Sequence, residues 1–82
     1  MKLKIRCLRC DTLLAIAEPA SPSPAVTSRT RRELVDPPDA PEERWKWWCP
    51  RPDCQRTREL RSARIAATLD EMKRRGMTTG DI

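Results

Sequence analysis

Four cysteines in two short clusters, Cys7-Leu-Arg-Cys10 and Cys49-Pro-Arg-Pro-Asp-Cys54, constrain this 82-residue chain more than any other feature. Two thiolates a few residues apart on a tight turn occupy one edge of a tetrahedron. A second pair from elsewhere in the chain completes it around a Zn²⁺, with sulfurs at about 2.3 Å. The chain has no other cysteine and no histidine, so such a site uses all four thiols and leaves no coordination position open. A disulfide framework is the alternative, and it requires an oxidising compartment. The opening Met-Lys-Leu-Lys-Ile-Arg-Cys places charges on alternate residues where a signal peptide needs an unbroken apolar stretch, and no run approaches a membrane span. A cytoplasmic setting with reduced thiols is therefore expected, with an iron ion in the same geometry as a further alternative.

Only 38% of residues are hydrophobic while 35% are charged. Six of the eight prolines lie between Glu18 and Glu43, so the part able to pack is near the lower size limit for a purely apolar core. A metal staple is then expected to supply stability that packing cannot. The net charge of +5 is unevenly spread: residues 1–11 carry +3, residues 18–43 carry −3, residues 44–54 carry +2 and residues 55–75 carry +4. Basic charge thus sits on the segments expected to fold, which favours a polyanionic partner. A solvated basic surface is the plainer reading of the same pattern.

Lys2-Leu3-Lys4-Ile5-Arg6 alternates with period two and runs into Cys7, as a half-buried strand would. Thr12 to Ala17 is a short apolar run able to return beside it, and Pro19 ends it. Residues 1–17 are read as the first knuckle with its strands. Residues 18–43 are rich in proline and poor in large apolar groups, which predicts a long mobile loop that can be shortened without harm. Within it, residues 30–35 are a candidate partner-binding arm.

Arg44-Trp45-Lys46-Trp47-Trp48 returns to strand composition before the second cysteine pair, so residues 44–56 form the second strand and knuckle. Alternation places Trp45 and Trp47 on one face and Lys46 and Trp48 on the other. One face closes the core against Leu3, Ile5, Leu14 and Ile16, and a tryptophan on the opposite face is suited to stacking on a base or filling a protein pocket. Residues 57–75 read as a basic amphipathic helix, with Ile65, Leu69 and Met72 on one face and Gly76 placed to end it. Residues 76–82 are expected to be a loose tail. Arg56, Arg58, Arg61 and Arg64 gather at the beginning of the helix, where its dipole disfavours positive charge, which suggests an external anion.

On Cys7-x2-Cys10 and the Cys49-Pro50 dipeptide, with the strands before them, the chain resembles the zinc-ribbon or rubredoxin-like class of small metal-binding domains over roughly residues 1–17 and 44–56. Short arginine-rich ribbons of this kind resemble those of bacteria with GC-rich genomes and their phages. Typical ribbons carry Cys-Pro-x-Cys-Gly at the second knuckle, whereas here that knuckle is two residues longer and has no glycine. The resemblance implies a small metal-stabilised α+β fold: two hairpin knuckles, the mobile insertion and a C-terminal amphipathic helix. It implies Zn²⁺ on Cys7, Cys10, Cys49 and Cys54, and a nucleic-acid-binding or transcription-associated role. In that role Arg56, Arg58, Arg61 and Arg64 meet phosphates, and one of Trp45, Trp47 or Trp48 lies near bases. The competing role is an adaptor in a larger protein assembly, burying the tryptophans and the Ile65/Leu69/Met72 stripe against its partner. An iron electron carrier is a weaker third. An enzyme is not expected, nor a small-molecule substrate, because a closed four-cysteine site has no place for water and the chain has no histidine base.

Overall fold

The alternating segment at the beginning of the chain forms strand β1 (Lys2–Arg6), which buries Leu3 and Ile5 completely. The computed structural model describes residues 1–21, 23–35 and 44–82. Strand β2 (Leu13–Glu18) returns antiparallel, with Leu3 opposite Ala17 and Ile5 opposite Ala15. A register shift then sets Leu13 opposite Arg6. Leu14 is thereby the extra residue of a bulge, which lets Leu14 and Ala15 both be buried. Ile16 falls outside that set and is only half-buried.

Strands β3 (Ala25–Ser28) and β4 (Arg32–Val35) lie inside the stretch expected to be a mobile loop. β3 pairs antiparallel with β2, and β4 pairs antiparallel with β5 (Arg44–Trp48). The loop reading is corrected for these residues, and the candidate partner-binding arm over 30–35 is the crossover and strand β4 of the second sheet; positions 22 and 36–43 lie outside the described residues. The physical reason is that an edge strand needs little apolar mass when its backbone joins an existing sheet. The crossover between β3 and β4 is pinned as well. Trp48 N–H donates to the Arg31 carbonyl at 3.0 Å, and the Thr30 hydroxyl donates to the Trp48 carbonyl.

The stretch expected to begin the helix is instead strand β6 (Thr57–Arg61), antiparallel to β5. Its burial alternates, with Arg58 and Leu60 inward. Sheet pairing beside the tryptophans overrides the helical propensity of these residues. Helix α1 begins only at Ser62 and runs to Arg74, burying Ile65, Leu69 and Met72. Gly76, at φ 68°, ends it: Met77 N–H reaches the Met72 carbonyl at 2.9 Å and Gly76 N–H the Lys73 carbonyl at 3.2 Å. These bonds satisfy carbonyls that the helix terminus would leave open. The tail is not loose either. Strand β7 (Thr79–Asp81) pairs parallel with β1, Asp81 meets Arg6 at 2.9 Å, and Gly80 lets the strand pass within contact of the Met72 sulfur.

The described residues thus form two sheets, ordered β3-β2-β1-β7 and β4-β5-β6, with one helix leading from the second back to the first. A single core joins them: Leu3, Ile5, Leu14, Trp47, Leu60, Ile65, Leu69 and Met72 belong to one buried cluster. The helix stripe is therefore internal, and it is not available to a protein partner.

Candidate metal centre

Each cysteine pair sits where one hairpin turns, between β1 and β2 in the first sheet and between β5 and β6 in the second. The two turns are closed alike. Cys7 N–H donates to the Thr12 carbonyl at 2.9 Å, and Cys49 N–H to the Arg56 carbonyl at 2.8 Å; the second span is longer by the two extra residues of its knuckle. In both, the residue after the second cysteine has positive φ: Asp11 at 63° and Gln55 at 48°. That is where the Cys-Pro-x-Cys-Gly pattern puts glycine, so the turn geometry is kept although the glycine is absent.

Aspartate tolerates this region better than glutamine, which has no short side chain to bond locally. Gln55→Gly is accordingly expected to stabilise the metal-loaded protein by about 0.5–1 kcal/mol, the relief of left-handed strain offset in part by the freer unfolded chain. A denaturant midpoint that falls instead would show that the Gln55 side chain supports the knuckle.

The four Sγ atoms lie within 4.8 Å of one another. Cys7 and Cys54 sulfurs are 3.6 Å apart, and Cys10 and Cys49 sulfurs 3.3 Å, so the first cysteine of each knuckle faces the second of the other. Four sulfurs at about 2.3 Å from one ion are separated by about 3.8 Å along each tetrahedral edge, so the cluster fits such an ion after small adjustments. All four cysteines are free thiols. Cys7 and Cys49 are buried and Cys10 and Cys54 half-buried, which leaves the cluster shielded on its inner side.

The thiols cannot all ionise at once so close together without a cation. Cys10 is lowered to about 6 by hydrogen bonds from the Thr12 hydroxyl, 3.1 Å away, and the Thr12 backbone. Cys7 is also lowered, by the Cys10 and Arg9 amides. The Arg51 amide favours the Cys49 thiolate, but burial and the neighbouring sulfurs outweigh it and push Cys49 up to about 11; Cys54 is raised by a similar balance against the Arg56 amide. This split is how a group of like charges avoids full ionisation, and a bound dication removes the need for it. The four cysteines can therefore hold a metal ion.

The residues expected to touch a partner are dispersed differently. Trp47 is fully buried, with its ring stacked on Trp45 at 6.1 Å and its Nε1 donating to Ser28 Oγ at 3.0 Å. Arg58 is buried and donates to the carbonyls of Arg6, at 2.6 Å, and of Ile82. Burial lowers its pKa, and the neighbouring Arg64 charge lowers it further. Neither residue can reach a ligand, which corrects the expectation for both. Trp45 is half-buried beneath Arg32, while Arg56, Arg61 and Arg64 are exposed on separate elements: the second knuckle, the end of β6 and the first turn of α1. Trp48 is the tryptophan turned to the other face, with Arg31 4.5 Å and Lys46 5.2 Å from its ring centre. Arg31 belongs to the 30–35 stretch read as a candidate partner-binding arm; its place over the Trp48 ring is not foreseen by that reading, which expects a mobile loop rather than the crossover into β4.

Compared with known protein families, curated proteins and solved structures, the chain has no match. The described residues form a small α+β fold of two sheets and one helix, whose cysteine cluster is consistent with a zinc-ribbon-like domain. Among the described residues no helix is long and apolar enough to cross a membrane.

Proposed function

We propose that this chain is a zinc-ribbon-like protein, stabilised by one structural Zn²⁺ on Cys7, Cys10, Cys49 and Cys54, that binds nucleic acid in a transcription-associated role and performs no catalysis. The carrying observation is Trp48: a half-buried indole held among cations on a basic face. Phosphates supply salt-dependent affinity to such a face, and an aromatic ring adds base contact. Zinc is favoured over iron because a sulfur tetrahedron that only joins two turns needs no redox chemistry.

Fluorescence anisotropy with labelled DNA and RNA across a salt series tests the binding. Affinity is expected to fall with salt at a log–log slope near −0.7 per phosphate on single strands or −0.9 on duplex. Absence of binding at about 50 mM salt, with one protein recovered by pull-down, would replace this reading with an adaptor. Leu8, 82% exposed at the tip of the first knuckle, is the observation that favours that competitor.

A further inference from the structure

The two knuckles meet along one side of the cysteine cluster, and what they present there differs from the aromatic face around Trp48. Cys7, Leu8 and Arg9 of the first knuckle, with Arg56 and Thr57 beside the second, line a surface concavity of about 410 Å³. Leu8 is 82% exposed at its rim. Arg9 and Arg56 bring one guanidinium from each knuckle, and neither side chain has an ion-pair or hydrogen-bond partner among the described residues. The acids of the knuckles are directed to other cations: Asp53 meets Arg51 at 3.3 Å, and Asp11 lies beside Arg6. The acidic positions 36–43 join Val35 to Arg44, at the end of β5 away from the knuckles. The backbone under these groups is tied to the metal centre. Arg9 N–H donates to Cys7 Sγ and Arg56 N–H to Cys54 Sγ, while the Arg56 carbonyl accepts from Cys49 N–H at 2.8 Å. The turn that carries Leu8 is closed by Asp11 N–H on the Cys7 carbonyl at 2.9 Å. Groups fixed in advance lose little freedom on binding. Because its walls come from both knuckles, the concavity exists only while the four sulfurs are held together.

We propose that this concavity docks an acidic segment of a partner protein, with Leu8 buried against an apolar side chain of that segment and Arg9 and Arg56 on its carboxylates. The inference goes beyond the nucleic-acid reading above and does not depend on it. The lining favours a protein over a nucleic-acid strand. A base gains most from an aromatic plane, which none of the five lining residues supplies, and an exposed leucine gains nothing from a phosphate. Two cations are also few for a strand that carries a charge at every nucleotide. An aliphatic anchor with arginines next to it instead matches a peptide that sets apolar side chains among acids, the mixture common at protein interfaces.

The test uses the full-length, metal-loaded protein labelled with nitrogen-15, and two synthetic peptides of equal length: one of glutamates alone, the other with leucines set among the glutamates. An oligothymidine is titrated in parallel. Amide shifts in the nuclear magnetic resonance spectrum locate binding, and their titration gives affinity. The leucine-containing peptide is expected to shift the amides of Leu8, Arg9, Arg56 and Thr57 and to bind more tightly than the peptide of glutamates alone. Leu8→Ser should weaken it about ten-fold, the loss of one buried leucine, and bring the two peptides level. Arg9→Ala and Arg56→Ala should each weaken it roughly two- to five-fold and make the remaining binding less sensitive to salt. All three side chains are exposed, so the variants should keep fold and metal, which circular dichroism and metal content check. Equal affinity of the two peptides for the parent protein would overturn the inference, and so would an unchanged affinity in Leu8→Ser. Absence of shifts at those four amides with either peptide at about 1 mM would overturn it as well. Shifts there from the oligothymidine, with none from the peptides, would assign the concavity to nucleic acid instead. The nucleic-acid reading is judged separately, by oligothymidine shifts around Trp48, so either reading can fail while the other stands.

Discussion

Stripping the metal with a chelator under reducing conditions is expected to unfold this protein rather than loosen it. The four sulfurs tie the β1–β2 turn of one sheet to the β5–β6 turn of the other. Structural zinc contributes an apparent ~10–16 kcal/mol in small zinc domains. A native domain has only ~5–15 kcal/mol of net stability to lose, so removal of the ion exceeds what the core can cover. Cys49→Ser should act in the same direction, because it removes one ligand and leaves a buried hydroxyl among thiols. Native mass spectrometry should show one metal per chain before treatment, and far-ultraviolet circular dichroism should lose its folded signal as the metal leaves. A monomer that stays folded and metal-free would end the metal reading.

Where the sequence was legible, a side-chain pattern coincided with a backbone requirement. The alternation of Leu3 and Ile5, the spacing of Ile65, Leu69 and Met72, and Gly76 at the helix end each specify one local geometry, and the structure contains it. The cysteines were legible because few environments suit four thiols at that spacing. β3, β4 and β7 left little trace, since edge strands are held by backbone pairing and by scattered polar contacts such as Thr30 with Trp48 and Arg6 with Asp81. Proline content then argued for a loop where the chain in fact adds an outer strand to each sheet.

Arg58 shows a different failure. Four arginines within nine residues read as one cationic patch, but β6 alternates, and the strand turns Arg58 inward while Arg56, Arg61 and Arg64 stay exposed. A buried guanidinium is tolerable only because the carbonyls of Arg6 and Ile82 receive its protons. Those acceptors lie on segments remote in sequence. No window of residues around Arg58 carries them, so its role became visible only once β6 and the end of the chain were brought together.

Trp47→Ala is expected to be the most damaging substitution outside the cysteines. The side chain is fully buried, belongs to the core shared by both sheets and the helix, stacks on Trp45, and ties its indole N–H to Ser28 on β3. Truncating a core tryptophan costs about 3–5 kcal/mol through lost transfer energy and the cavity left behind. For a chain of this size each kcal/mol lowers the melting temperature by roughly 4–8 °C, so the metal-loaded variant should melt at least about 12 °C lower. Trp48→Ala should cost much less, because that ring is half-buried on the outer face and its cationic neighbours can turn to water. Trp47→Phe should fall between them. It keeps most of the apolar area but loses the hydrogen bond to a half-buried serine that solvent can reach, a loss of about 1–2 kcal/mol together with the smaller ring. Thermal melts of the three variants at saturating metal check the order. Equal losses for Trp47→Ala and Trp48→Ala would mean that the two sheets do not share the core through Trp47. If Trp47→Ala does not fold at all, the ranking of Trp47→Phe below Trp48→Ala in stability carries the same test.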